Sequence, residues 1–518
     1  MEDKAEKLLA RYERAKKKRT QWEHVFDECY ELAIPHRATF SNQTPGDRRD
    51  DRIFDQTAVV GVQEFTSRLQ HGVVPSYSKF ADLEAGGEVP PAEAKEFNGQ
   101  LEEVTDYVFE VIQNSNFPQQ VHESFYDLSI GTGVLKVDEG DSIKPIICRA
   151  CPLPSVVLDE GPDGLIDYKA FCRRDVQYSE LETIYRNVKL TDQMREKAKN
   201  PENKTNVIEV CYRDWSVRNE IVTKTCAIAV DDKHLLWEQE ERGIGSAPIL
   251  AYRWDTNPGE VYGRGPLLQA LSGIKTANEI VELVLQNAHM SIAGVYQMED
   301  DGIINPETIN FVPGTVIPVG PGSQGLRPVG SAGSFDVSEL MLGQLRMDIK
   351  RALFNDMLGD PDKTPATATE VAERMADLSR RMGSSFSKLQ AELVEPFLQR
   401  VVYILKKKGL IELPAINGRE IKVKAVSPLA QAQANEDIAS VARFLEMGGQ
   451  FFGPEALLME IDPRKTMAFL REKFGAPESL LRDEASRRQF MSLMQQGLAA
   501  QNGQGPEAPA QGQPTLPQ

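Results

Sequence analysis

The chain has 518 residues, 41% of them hydrophobic and 26% charged, and a formal net charge of −18. This length suggests roughly three domains, the apolar content suffices for globular cores, and no apolar run approaches the roughly 20 residues that span a bilayer. The acidic balance argues against a surface that holds nucleic acid non-specifically, because phosphate contacts need lysine and arginine, but it does not exclude a protein that must let DNA pass without sticking.

The N-terminus, "MEDKAEKLLARYERAKKKR", is charged throughout and has no apolar core of a signal peptide. The expected location is the cytosol, or an assembly built inside a cell. Residues 3–33 read as a helix, with Leu9, Tyr12, Trp22, Phe26, Cys29 and Ala33 near one face and Pro35 as the stop. "TFSNQTPGDRRDDRIFD" reads as a polar loop. "QTAVVGVQEFTSRLQHGVV" is a second helix, ending before Pro75, and Pro91 to Gln113 is a third, followed by another up to Gly131. From "GVLKVDEGDSIKPIICRACPLPSVV" onward, short β-branched runs alternate with Gly, Pro and Asp turns, the pattern of a β-rich region. A helix is expected near 179–199. "VIEVCYRDW", "EIVTKTCAIAV", "KHLLWEQEE" and "APILAYRW" read as antiparallel strands.

A long amphipathic helix is expected from Pro266 to Ala293, with Leu267, Leu271, Ile274, Asn278, Val281, Leu285, Ala288 and Ile292 forming one stripe. A short strand region covers 295–330, and a second long helix covers 335–358. After the break "GDPDKTPA" comes a third long helix, 368–408, which Pro396 should kink. It should stop at "KKKG", with cations in the last turn and Gly409 beyond the end. Helices at 429–447, 454–473 and 483–500 follow, and the Gln/Pro/Gly-rich tail "QNGQGPEAPAQGQPTLPQ" is expected to be disordered. The fold class is α+β, mostly helical.

The motifs point away from chemistry. The six cysteines are Cys29, Cys148, Cys151, Cys172, Cys211 and Cys226. Cys148 and Cys151 form a C-x-x-C, but no second pair lies at a spacing that would close a zinc site. They read as small buried hydrophobes on strands, reduced in a reducing compartment. The six histidines form no metal-binding spacing. "GEVYGRGP", Gly259 to Pro266, invites comparison with a phosphate-cradling loop. A P-loop, however, needs Lys and Ser or Thr after its last glycine, and here Pro266 stands there instead. The glycines read as a tight turn and Pro266 as the first residue of the next helix. Thr367 and Glu370 in "TPATATEVAERM" form a capping box. Arg346, Lys350 and Arg351 lie at near-helical spacing on the second long helix, and Lys363 follows in the break. In an oligomeric ring, one such residue per subunit becomes a ring of charge around the axis. No catalytic residue, cofactor or metal is expected.

Four stretches in order carry a resemblance. They are "RYERAKKKRTQWEHVFDECYELAIPHR" with "DRIFDQTAVVGVQEFTSRLQHGVVP"; "WDTNPGEVYGRGPLLQALSGIKTANEI"; "TPATATEVAERMADL"; and "SPLAQAQANEDIASVARFLE" with "IDPRKTMAFLREKFGAPESLLRDEA". Together they resemble portal, or head-to-tail connector, proteins of short-tailed double-stranded DNA bacteriophages, over nearly the whole chain. The resemblance implies a homo-oligomeric, dodecameric ring at one capsid vertex of the virion, made in the bacterial host cytoplasm. Double-stranded DNA would pass through its axis, driven by a separate terminase. The implied partners are the terminase large subunit, a tail adaptor, and the major capsid and scaffolding proteins, with no membrane. Residues 1–265 would be the wing, 266–294 the first stem helix, 295–333 the clip and 334–358 the second stem helix. Residues 359–368 would be the tunnel loop, 369–424 the kinked helix and its return to the wing, 425–500 a helical crown and 501–518 the tail. Arg346, Lys350, Arg351 and Lys363 are then candidates for the DNA channel. The alternatives are another head–tail junction protein, such as an adaptor or internal core protein, and, remotely, a nucleotide-binding enzyme using the Gly259–Gly265 loop.

Overall fold

The computed structural model describes residues 2–41, most of 44–86, 91–217, 220–293, 296–297, 327–328, 335–355, 381–412, 421–426 and a scatter of residues between 438 and 470. It separates into two units, Met1–Gln433 and Ala434–Gln518.

The first unit mixes helices with antiparallel sheets, the α+β arrangement expected. A meander of five strands runs β4 (Val156–Glu160), β5 (Ile166–Gln177), β6 (Lys204–Arg213), β7 (Val222–Ala229) and β8 (His234–Arg242), paired in that order. The long helix α1 (Glu2–Ala33) lies on one face of it. Ala5, Leu8, Tyr12 and Ala15 recur at helical spacing and pack on Tyr168, Ala170, Ile208, Val210 and Ile228. Leu9, placed on the buried face from sequence, is only half-buried. Arg19 continues the buried stripe. Its guanidinium donates to the carbonyls of Pro154 (3.2 Å) and Val156 and to Glu23 (2.9 Å), so a cation sits in the core fully paired.

A second sheet orders β3 (Ile146–Ala150), β2 (Thr132–Glu139) and β9 (Ile249–Arg253). Around it pack α2 (Thr57–Val73), α3 (Pro91–Gln113), α4 (Phe117–Ile130) and α9 (Glu395–Lys407). Phe117 and Phe397 stack with ring centroids 4.0 Å apart, joining α4 to α9. Both edges of this sheet are covered by side chains. Asn116 and Gln120 bond the outer backbone of β3, and Glu392 accepts the Arg253 amide on β9 (2.8 Å). A two-stranded sheet pairs β1 (Ala81–Ala85) with β12 (Ile421–Ala425), a pairing that local sequence pattern does not reveal.

Two expected helices differ. The one expected over 179–199 is two short pieces, α5 (Leu181–Ile184) and α6 (Asp192–Ala198). Asn187 sits at φ 61°, Lys189 donates its amide to the Leu236 carbonyl of β8, and the Thr191 side chain restarts the helix by accepting the Met194 amide. Strand attachment outcompetes helix propensity there. The helix expected over 368–408 is described from residue 381. It widens into a π turn at Gln390–Val394, just before Pro396 in the first turn of α9, because proline has no amide to bond and its ring crowds the carbonyl four residues back. It ends as the sequence predicts. Gly409 takes φ 68°, and its amide and that of Leu410 bond the carbonyls of Lys406 and Leu405.

The face of the five-stranded sheet opposite α1 meets the second sheet and α9 through charged groups. Glu209 of β6 forms ion pairs with Lys136 of β2 (2.5 Å) and Arg173 of β5 (2.6 Å) and accepts a hydrogen bond from the Tyr185 hydroxyl (2.6 Å). Arg400 of α9 pairs with Glu241 of β8 (2.8 Å) and donates to the carbonyls of Val137, Gly245 and Ser246. Burial alone would push the Glu209 carboxyl up. The charges of Lys136 and Arg173, with hydrogen bonds from Lys136 and Tyr185, outweigh it and hold the carboxyl below its usual range.

The second unit is described at helical residues 438, 440–448 and 450–451, and at 465–467 and 469–470. The first run continues past 447, where it was expected to stop. The helix expected at 483–500 and the tail lie outside the described residues.

The Glu209 cluster yields a prediction. Glu209→Gln strands two buried cations and should cost about 3 kcal/mol. A depressed folded pKa gives stability that is complete above the unfolded value, near 4.5, and lost as pH falls through the lower folded value. The gap between wild type and Glu209→Gln in urea unfolding should therefore be full at pH 7 and shrink on acidification below pH 4.5.

Candidate functional site

The site is the joint where a pair of long helices leaves the body. One is α7 (Pro266–Ala293), with the bounds read from sequence, and the other is α8 (Phe335–Ala352). Gly273 near the start of α7 faces Ile349 near the end of α8. At the other ends, β10 (Tyr296–Gln297) pairs antiparallel with β11 (Arg327–Pro328). The two helices therefore form an antiparallel hairpin.

The glycine loop before α7 is the foundation of this joint. A Cβ on Gly263 would stand 2.2 Å from the Gly131 carbonyl oxygen, and one on Gly265 would stand 2.1 Å from that of Ser129. A Cβ on Gly131, which has φ 156°, would in turn meet the Gly263 oxygen at 2.0 Å. The end of α4 and the start of α7 thus cross backbone on backbone, and only glycine fits. The loop amides are spent in the crossing. Gly263 donates to Thr132 Oγ1 (2.8 Å), Arg264 to the Asp255 carbonyl (2.9 Å) and Gly265 to the Ile130 carbonyl (2.7 Å). These three amides are therefore not available to a phosphate, which weighs against the loop as a nucleotide cradle. Arg264 is bound to Glu260 (2.7 Å) and lies over the Trp22 ring.

From Pro266 the apolar stripe packs into the body through Leu267, Ala270, Leu271, Ile274 and Ala277. It stops there. Beyond Ala277, the stripe residues Val281 and Ala288 are half-buried and Leu285 is exposed. At the boundary stands Asn278, which the periodicity counted as part of the stripe. Its Oδ1 accepts the amides of Phe54 (2.8 Å) and Asp55 (3.1 Å), and its Nδ2 donates to the Arg52 carbonyl (2.9 Å). Lys275, one turn earlier, pairs with Glu28 of α1 (2.9 Å).

The charged residues of α8 separate into two kinds. Arg346 donates from Nε to Asp55 Oδ2 (2.8 Å), and the other oxygen of Asp55 accepts the Thr57 amide at the start of α2 (2.8 Å). Burial of Asp55 is outweighed by its bonds from Thr57 and Arg346, so its carboxyl is held below its usual range. Lys350 and Arg351 are exposed, with no acidic partner among the described residues. Lys363, Thr367 and Glu370 lie outside the described residues.

The helix expected to reach 358 ends at Ala352, because the next residues are captured by α2. Leu353 packs on Gly61, where a Cβ would stand 2.7 Å from it. Phe354 takes φ 58° and lies within a trio with Phe65 and Trp254, and Arg68 donates to its carbonyl (2.7 Å). Asn355 donates to the Gly61 carbonyl (2.7 Å). Arg381 returns to the same place, donating to the Arg351 carbonyl (3.0 Å) and lying over the Phe354 ring. Sequence reading missed Asp55, Phe354 and Asn355. The only local signal was Asp55 two residues before Thr57, a helix-start pattern.

The cysteines are all free thiols. Five are buried, and Cys172 is half-buried. Cys29 is on α1, as its helical spacing indicated, Cys151 follows the end of β3, and the other four are on strands. Burial pushes the thiols of Cys29, Cys148, Cys151 and Cys226 up to about 12, which makes them unreactive. Among the described residues no group of side chains is arranged to hold a metal ion, and no helix is long and apolar enough to cross a membrane.

The family profile for bacteriophage head to tail connecting proteins matches residues 5–481. The chain belongs to this family. The "Portal protein" of Salmonella phage epsilon15 is 24% identical, over 99% of this chain and 96% of the relative. The "Probable portal protein" of Bordetella phage BPP-1 is 21% identical, over 87% and 84%. Among solved structures, a chain from the virion of a native gene transfer agent particle aligns over 83% of this connector chain and 94% of its own length, at 13% identity and a TM-score of 0.36.

Two predictions follow from the glycine crossing. Gly263→Ala and Gly265→Ala each force a methyl into a backbone oxygen and should cost about 3 kcal/mol or more, read as a large drop in thermal midpoint. Adding ATP with magnesium should leave the midpoint of the unaltered protein unchanged.

Proposed function

We propose that this connector protein is a portal subunit: copies close into a dodecameric ring at a single capsid vertex of the virion, and double-stranded DNA enters and leaves through the axis. The observation that carries the reading, beside family membership, is the α7/α8 hairpin. At about 1.5 Å per residue, the 28 residues of α7 span about 42 Å. Past the joint the hairpin presents Leu283, Leu285, Leu340 and Met341 to solvent in the isolated chain. A paired-helix wall with apolar sides is what neighbouring copies would cover in a closed heterologous ring.

In this reading residues 1–265 form the wing, 266–294 and 334–358 the stem, 295–333 the clip, 359–368 the tunnel loop, 369–424 the return to the wing and 425–500 the crown. The clip receives the terminase during packaging and the tail adaptor afterwards, and the capsid and scaffolding proteins meet the outer surface. The chain carries no chemistry, since its partner terminase supplies the energy. A net charge of −18 lets duplex DNA slide, because like charges repel the phosphates. Lys350, Arg351 and Lys363 centre or brake the DNA. Arg346 is set apart from them by its bond to Asp55.

Electron microscopy of the purified protein tests the ring. Axial class averages with a central hole wide enough for duplex DNA are expected, and compact particles without a channel would defeat the reading. Leu283→Asp with Leu285→Asp should shift the population from rings to monomers. Lys350→Glu, Arg351→Glu and Lys363→Glu should each reduce DNA retention in assembled particles. Unchanged retention in all three would remove them from the channel.

A further inference from the structure

Among the described residues, the directional ties between the helix pair and the body at and beyond Asn278 centre on one short stretch, residues 52–57, beside the partly buried Leu342 and Leu345 of α8. Asn278 of α7 holds this stretch by the Arg52 carbonyl and the Phe54 and Asp55 amides. Arg346 of α8 holds it by the Asp55 carboxylate, which is almost wholly buried. The same carboxylate binds the first amide of α2. Further along, α2 grips the chain just after α8 at Gly61, against Leu353 and Asn355, and at Arg68, against the Phe354 carbonyl. One helix is therefore tied to the hairpin at three successive levels.

Apolar contacts alone would not set the angle of the pair, because burial is non-directional and tolerates sliding or rotation. The polar ties are different. An asparagine that uses both ends of its amide on three backbone groups has a single register, and a carboxylate shared between a helix start and an arginine has a single geometry. We propose that residues 52–57 and α2 act as a splint that fixes the angle at which the α7/α8 hairpin leaves the body, with Asn278 and Arg346 as its positioning residues. The proposal extends the portal reading, since a wall of copies needs one common tilt, but the splint itself is a property of the single chain. It gives Arg346 a role other than meeting DNA.

The test uses the full chain with Asn278→Ala, Arg346→Ala, the double variant and Arg346→Lys. Hydrogen–deuterium exchange of a peptide covering residues 52–57 is read first. In the double variant exchange should accelerate at least tenfold there and in the first turn of α2, while β5 to β7 stay unchanged. Arg346→Lys, which keeps a cation within reach of Asp55, should restore most of the protection that Arg346→Ala loses. Exchange at 52–57 equal to wild type in the double variant would overturn the splint, whether or not rings form. Electron microscopy of particles then reads the angle. The body should remain as well defined as in wild type while the hairpin beyond Ala277 separates into classes of different tilt. A hairpin as uniform as in wild type would also overturn the proposal. Failure of the unaltered protein to form rings would count against the portal reading alone, because the exchange measurement needs only the single chain.

Discussion

The structure depends on one steric constraint, the crossing of two backbones at Gly131, Gly263 and Gly265. The end of α4 and the entry to α7 approach so closely that no side chain fits between them, and the amides of Gly263 and Gly265 donate to the Thr132 hydroxyl and the Ile130 carbonyl. That contact fixes where α7 begins. It also places β2, which starts at Thr132, beside β9, which ends at Arg253, since the Trp254 amide bonds the Gly131 carbonyl (2.9 Å). The sheet and the projecting hairpin are thus built out from the same few atoms. The glycines that suggest a nucleotide loop in isolation serve a packing purpose.

A second theme is the use of charge inside the body. The two sheets meet through Glu209, Lys136, Arg173, Glu241 and Arg400, and the π turn before α9 is fastened to β9 by Glu392 and Arg253. Buried ion pairs add little net stability compared with apolar packing, but breaking one is costly. Such contacts accept one arrangement and penalise others.

Long, strongly patterned elements were legible in the sequence. Pro266 and the apolar stripe located α7, and "KKKG" located the end of α9. Features set by distant partners were not. The β1–β12 pairing joins residues 81–85 to 421–425; both stretches alternate apolar with charged residues, "ADLEA" and "IKVKA", but nothing local says that two runs so short and so far apart pair with each other. The break inside 179–199 depends on an attachment to β8. Of the candidate site, helical spacing grouped Arg346 with Lys350 and Arg351, but the partner of Arg346 lies 291 residues away in sequence, and no local pattern encodes it. Asn278 was visible as a polar residue on an apolar stripe. Only the fold says that it faces a loop from the other end of the body.

The meeting of Arg381 with Arg351 and Phe354 has a consequence for how this family can diversify. The chain leaves α8 and comes back at one anchored point, so the entropy of closing the intervening segment is already offset by contacts in the body. Closure cost rises only with the logarithm of length, about 0.6 kcal/mol for each doubling. Insertions and deletions between residues 355 and 381 therefore leave the body almost untouched. That span can change in length and composition while the frame that carries it stays constant.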